Sequence, residues 1–239
     1  MKKQGPKTSG WKLRAATSGL ALLIVVADLA GKCPSLSQIS EDANEQLRLT
    51  VLVYIYARIP EHDLARAKHV ASRILQEAGV ELAWVDCALS RPRAQLNPAC
   101  AAPHAPTDIH LNIMPDLAEG PRVGGLAMGL AVATSPPNRG QFASISYARA
   151  RKQLLEAPEL TPGQLLGHGI AHEIGHLLLG TDSHSPTGLM SARWSSQELK
   201  LAAYSKLTFS DEQAAGICGD VRARMKAQKA QKSATAAMK

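Results

Sequence analysis

The run HEIGH at positions 172–176 constrains the fold of this chain more than any other feature, because its two histidines can bind one metal ion together only if the run is helical. In a helix, residues four apart lie on one face, so His172 and His176 project together. Glu173 is rotated by about 100° and would flank a metal rather than bind it. The pattern therefore predicts a helix that carries a catalytic zinc site.

The limits of this helix can be predicted independently of the motif. Thr161, Pro162 and Gln164 form the pattern of a capping box with proline at the first helical position, and Gly180 is a suitable C-cap. His168 lies one turn before the run and has no carboxylate after it, so we expect it outside the ligand set. An apolar stripe follows the helical spacing between these limits: Leu165, Leu166, Ile170, Ile174, Leu177 and Leu178.

The residues after the helix extend the motif, with Asp182, His184 and then Gly-Leu-Met at 188–190. This segment resembles the metzincin clan of zinc metallopeptidases, whose signature is HExxHxxGxxH followed by a methionine turn. The resemblance implies a Zn²⁺ cofactor, a peptide or protein substrate and Glu173 as the general base. It also implies that Met190 lies beneath the metal as the methionine of the turn.

The third zinc ligand departs from the metzincin pattern. Leu179 stands where the family has glycine, and Asp182 stands where it has the third histidine. We favour His184, because imidazole is a common catalytic zinc ligand and the LLLG stretch suggests a lengthened turn. Asp182 is the alternative, and a distant glutamate, Glu198 or Glu212, is a third.

Strand and helix patterns alternate before the active-site helix. We predict strands at 49–59, 80–85, 108–113 and 141–147, and helices at 61–78, 151–156 and 210–224. This order is similar to that of the zincin fold. The resemblance implies an α+β fold with an α/β-like order: a twisted mixed sheet, a back helix, the active-site helix and a C-terminal helix. An edge strand at 124–131 or 143–147 would pair with an extended substrate.

Composition divides the chain into four segments. Basic residues followed by an apolar stretch over 15–30 predict a signal peptide at 1–31 and an extracytoplasmic or secreted protein. The stretch is shorter than the ~20 residues that span a membrane, so we expect no stable span. We assign 32–48 to a linker or short pro-segment, 49–224 to the catalytic domain and 225–239 to a basic disordered tail.

The net charge of +7 comes from the ends of the chain. Residues 33–220 hold fifteen Lys and Arg against nineteen Asp and Glu, which argues against a nucleic-acid partner. We expect a monomer.

The four cysteines suit an exported protein. We predict a disulfide between Cys87 and Cys100, across a proline-rich loop. Cys33 either pairs with Cys218 or stays free.

The sequence thus predicts a secreted zinc metallopeptidase, an endopeptidase. The alternatives are a zincin-like domain that binds metal with weak catalysis and, from the basic tail, an envelope-associated binding protein.

Overall fold

The computed structural model describes residues 45–87, 97–118, 128–132, 140–180 and 182–237. These residues all belong to one compact unit and contain five strands and six helices. In chain order the elements are β1 (Arg48–Ile55), α1 (Glu61–Glu77), β2 (Glu81–Cys87), α2 (Pro98–Ala101), β3 (Asp108–Met114), β4 (Gly129–Val132), β5 (Phe142–Ser146), α3 (Tyr147–Gln153), α4 (Pro162–Leu179), α5 (Ser196–Ala203) and α6 (Asp211–Ala237).

The strands form one mixed sheet in the order β2-β1-β3-β5-β4. β1 pairs in parallel with β2 and β3, and β3 pairs in parallel with β5, whereas β4 is antiparallel to β5. In this order β4 lies at the edge of the sheet. The predicted α+β fold with a mixed sheet, a back helix (α1), an active-site helix (α4) and a C-terminal helix (α6) is confirmed.

One face of the sheet packs against α1 and α4 to form the core. Alternate residues of β1, β3 and β5 point to this face, as the two-residue period of a strand requires. They are at most 1% exposed: Leu49, Val51, Val53, Ile109, Leu111, Ile113, Ala143 and Ile145. Burial of each large aliphatic side chain contributes roughly 1.5–3 kcal/mol, so this layer holds the two helices in place.

Two glycines allow α4 to approach α1 closely. A Cβ atom on Gly163 would lie 2.6 Å from the Asp63 carbonyl oxygen, and one on Gly167 would lie 2.7 Å from the Ala67 carbonyl oxygen. Both obstacles are backbone atoms, which cannot move aside as a side-chain end does. The position of α4 against the back helix therefore depends on the absence of side chains at these two positions.

Several elements differ from the predicted ranges. β1 ends at Ile55, four residues early, and α3 begins at Tyr147 because the Ser146 side chain accepts a hydrogen bond from the Arg149 N–H. The short helices α2 and α5 were not predicted. Their signals are side-chain caps, from Asn97 in α2 and from a capping box at Ser195 in α5.

The C-terminal helix is longer than predicted. The sequence predicts that it ends at about Arg224 and that a disordered tail follows, but α6 continues to Ala237. The added residues are rich in Ala, Lys and Gln, which have high helix propensity without any apolar period. A Lys229–Glu45 ion pair at 2.6 Å lies within this added part.

The predicted Cys87–Cys100 disulfide is confirmed. Cys218 is also disulfide-bonded; Cys33, which the sequence leaves either paired with Cys218 or free, lies outside the described residues. The same holds for the predicted signal peptide, most of the linker at 32–48 and residues 124–127 of the candidate edge strand at 124–131. None of the described helices is long and apolar enough to cross a membrane.

Candidate metal centre

The helix α4 begins and ends where the sequence predicts. The Thr161 side chain accepts a hydrogen bond from the Gln164 N–H, and the Gln164 side chain accepts one from the Thr161 N–H. At the other end Gly180 has a φ of +102°, which residues with side chains rarely adopt. The helix between these caps holds His172 and His176 one turn apart on one face.

Three imidazoles converge at the end of α4. The Nε2 atom of His176 lies 3.0 Å from that of His172 and 3.1 Å from that of His184. Three nitrogen ligands at ~2.0–2.1 Å from a tetrahedral zinc would lie about 3.3 Å apart. The donor set therefore fits a zinc ion with one position left for water or substrate.

The structure brings His184, rather than the alternatives, to the other two histidines. Asp182 is exposed and lies outside the group of possible ligands. Glu198 instead caps α5, where its carboxylate accepts hydrogen bonds from Ser195, and Glu212 lies in the first turn of α6. Neither glutamate belongs to the cluster among the described residues.

Hydrogen bonds orient two of the three imidazoles. The Nδ1 of His172 donates to the Leu189 carbonyl oxygen at 2.7 Å, and the Nδ1 of His176 donates to the Ser183 hydroxyl at 2.8 Å. The Ser183 hydroxyl in turn donates to the Gly180 carbonyl oxygen at 2.8 Å. With the proton on Nδ1, each ring leaves the Nε2 lone pair available for a metal.

Ser183 is a functional candidate that the sequence did not predict. Counted from Gly180, Ser183 stands where the metzincin pattern has its third ligand, but a serine hydroxyl is a poor zinc ligand. The available signal was a hydroxyl just beyond the glycine that ends the helix. That signal is weak, because serine is common in such turns.

The surroundings keep the two helical imidazoles neutral at neutral pH. Burial, with smaller contributions from the neighbouring His172 and His184, lowers the pKa of His176 to about 3. Burial also lowers the pKa of His172, and His184 adds to the effect. Neutral imidazole is the form that binds metals, so no proton has to be displaced from these two rings.

Glu173 lies next to His172 beneath the edge strand β4. It is 6% exposed, and burial raises the pKa of its carboxyl to about 8, opposed in part by a hydrogen bond from the Ala131 N–H. A side chain at Gly129 would overlap the Glu173 carboxylate. Glu173 is outside the ligand cluster, as the helical geometry predicts for a residue that flanks the metal.

Met190 is fully buried and packs directly against the HEIGH run. A Cβ atom on Gly175 would lie 2.5 Å from the Met190 sulfur and 2.8 Å from Cε1 of Phe209. Gly175 therefore makes room for Met190 under the helix. The carbonyl of the adjacent residue Leu189 orients His172, so this turn contacts the HEIGH run at Gly175 and at His172.

His168 and Trp194 lie beside the centre but are not ligands. His168 is buried, its Nδ1 donates to the Gln164 carbonyl oxygen, and its Nε2 has no hydrogen-bond partner among the described residues. Trp194 is 6% exposed, and its indole N–H donates to the Leu189 carbonyl oxygen.

No protein-family model matches this sequence, and no curated protein matches it. Among solved structures, the chain is similar to archaemetzincin from Methanopyrus kandleri, with a TM-score of 0.46 and 20% sequence identity. The similarity covers 74% of this chain and 96% of the archaemetzincin chain.

Proposed function

We propose that this protein is a zinc-dependent metallopeptidase that hydrolyses peptide bonds, as an endopeptidase. The observation that carries the proposal is the convergence of three imidazole Nε2 atoms at 3.0 and 3.1 Å, with Glu173 beside the first of them. We assign His172, His176 and His184 as the zinc ligands. When bound, Zn²⁺ would supply Lewis-acid chemistry that polarises a peptide carbonyl and acidifies water.

Glu173 is the residue that we assign to proton transfer. It follows His172 directly, so its carboxylate lies next to the metal position without occupying it. It would accept the proton of the attacking water and return it to the departing amine. Its raised pKa of about 8 applies to the metal-free protein, and a nearby cation would favour the ionised form.

The edge strand β4 is the proposed substrate platform. β4 runs antiparallel to β5 and lies last in the strand order, directly above Glu173. An extended peptide that pairs with its outer side would lie along the metal centre. We therefore propose a peptide or protein segment in extended conformation as substrate.

We further propose that the protein acts outside the cytoplasm and as a monomer. The Cys87–Cys100 disulfide supports an oxidising compartment, because such bonds persist there. The basic and apolar composition of 1–31 supports export. The mildly acidic body supports a partner other than nucleic acid.

A metal-binding domain with weak catalysis is the second candidate. The observation that favours it is the burial of Glu173, which is only 6% exposed and covered by the backbone at Gly129. A catalytic base must reach the attacking water. If β4 keeps Glu173 covered when zinc is bound, the chain would hold zinc without efficient hydrolysis.

Zinc content and peptide cleavage of the full chain test these assignments. We expect one zinc per chain and cleavage of unfolded casein by the wild type. His184→Ala should lose zinc and activity, whereas the matched variant Asp182→Ala should retain both. Zinc retention in His184→Ala together with zinc loss in Asp182→Ala would reverse the ligand assignment. A wild type that binds zinc but does not cleave peptides would favour the second candidate.

A further inference from the structure

Trp194 packs against the face of α4 that carries the histidines. Its ring lies edge-on to the His172 ring, with 6.0 Å between the centroids. The same ring lies edge-on to His168, one turn earlier on the helix, at 6.2 Å. Trp194 is therefore a direct neighbour of a proposed zinc ligand without being a ligand itself.

Trp194 and His172 donate to the same acceptor. The Trp194 indole N–H donates to the Leu189 carbonyl oxygen at 3.0 Å, and His172 Nδ1 donates to the same oxygen at 2.7 Å. A carbonyl oxygen has two lone pairs and accepts both bonds. Leu189 is fully buried, so bulk water does not replace a donor that is lost.

Backbone bonds hold the turn on either side of this carbonyl. The Ser191 N–H donates to the Gly188 carbonyl oxygen at 3.1 Å, and the Ser185 N–H donates to the Met190 carbonyl oxygen at 2.9 Å. The Leu189 carbonyl lies between these two bonded groups and is held by two side chains instead. Its side-chain partners are Trp194 and His172.

We propose that Trp194 is a positioning residue for the metal centre. By fixing the Leu189 carbonyl, its indole N–H keeps the proton of His172 on Nδ1 and directs Nε2 at the metal. This rests on the metal-binding part of the proposed function and not on the reaction. Loss of a group that orients a ligand weakens metal binding ~10–100-fold, and Trp194 acts one bond further out, so we expect about tenfold.

The test compares two substitutions of the same kind in the full chain. Trp194→Phe keeps an aromatic ring and loses the indole N–H. Trp84→Phe is the matched control, because the Trp84 indole N–H also makes one hydrogen bond, to the Ser72 hydroxyl at 2.8 Å, on the back helix α1. Zinc affinity is measured by competition with a chromophoric chelator, and ligand geometry by the absorption spectrum of the Co²⁺-substituted protein.

We expect about tenfold weaker zinc binding and an altered Co²⁺ spectrum in Trp194→Phe, with both unchanged in Trp84→Phe. Equal affinity and equal spectra in the two variants would overturn the proposal. Equal losses in both variants would also overturn it, since they would reflect general destabilisation.

A measurement on the metal-free protein separates this proposal from the proposed function. The ring-nitrogen NMR shifts of His172 should report Nδ1 protonation in the wild type and in Trp84→Phe, and a mixture of tautomers in Trp194→Phe. If the wild type takes up no zinc, the proposed function fails, and this spectrum still decides the role of Trp194. The same single His172 tautomer in all three proteins would overturn the proposed role of Trp194.

Zinc titration of the wild type covers the case in which Trp194→Phe does not fold. The indole N–H resonance of Trp194 should shift as zinc binds, while that of Trp84 should not. A Trp194 resonance that stays in place while the His172 resonances move would overturn the proposal.

Discussion

Replacing Gly175 with alanine adds one methyl group at the contact between α4 and Met190. The new Cβ atom would lie 2.5 Å from the Met190 sulfur and 2.8 Å from Phe209 Cε1, closer than side-chain atoms normally approach. Both obstacles are buried, so they have to shift within a packed core. Overpacking of this kind costs about 1–3 kcal/mol.

Helix propensity acts in the opposite direction, and a matched variant isolates it. Alanine is favoured over glycine inside a helix by about 1 kcal/mol. Gly219 lies in the interior of α6, and a Cβ atom there would have no neighbour within 4 Å in the part of the chain that the structure describes. Gly219→Ala should therefore stabilise the protein by up to about 1 kcal/mol, whereas Gly175→Ala should range from neutral to about 2 kcal/mol less stable than wild type.

Urea unfolding of the metal-free protein with intact disulfides, followed by circular dichroism, measures both variants. The difference between them, about 1–3 kcal/mol, is the steric cost at Met190. Zinc affinity should fall in Gly175→Ala alone, because a displaced Met190 moves the neighbouring Leu189 carbonyl. If the two variants are equally stable and bind zinc equally well, the close packing of Met190 under the helix is refuted.

Two further predictions concern Ser183 and His168. Ser183→Ala removes the acceptor for His176 Nδ1 and should weaken zinc binding about tenfold in chelator competition, whereas Ser183→Thr keeps a hydroxyl and most of the affinity; equal affinities of Ser183→Ala and wild type would contradict this role. Burial lowers the pKa of His168 from 6.5 to about 4, so the unfolded chain binds this proton at higher pH than the folded protein does. The contribution of neutral His168 to the free energy of unfolding is about 3 kcal/mol, fully present above pH 6.5 and lost as pH falls towards 4. The stability advantage of wild type over His168→Gln should therefore shrink over that range. A pH-independent difference in urea unfolding would contradict it.

The sequence predicts the features that local chemistry determines. The capping box at Thr161 and the glycine at 180 define α4 because each acts within one turn of its own position. The spacing of His172 and His176 then follows from helix geometry alone. The Cys87–Cys100 pairing was also predictable, because the two residues flank a short proline-containing stretch of the sequence.

The remaining features depend on contacts between distant segments. His184 lies on a turn whose next residue contacts a distant helix: the Gln213 amide in α6 donates to the Ser185 hydroxyl at 3.3 Å. No local sequence pattern distinguishes this backbone conformation from one that would place Asp182 next to the two helical histidines. The roles of Leu189 and Trp194 likewise require the turn at 188–195 to fold back on α4. The length of α6 was underestimated because its last turns have helix propensity but no apolar period.

Peptide cleavage by zinc-loaded Glu173→Gln tests the central claim most directly. Glutamine has nearly the shape of glutamate and cannot accept the proton, so the variant should keep one zinc per chain and lose activity by about 100-fold to 10,000-fold. A zinc-loaded Glu173→Gln that cleaves peptides at the wild-type rate would contradict the account.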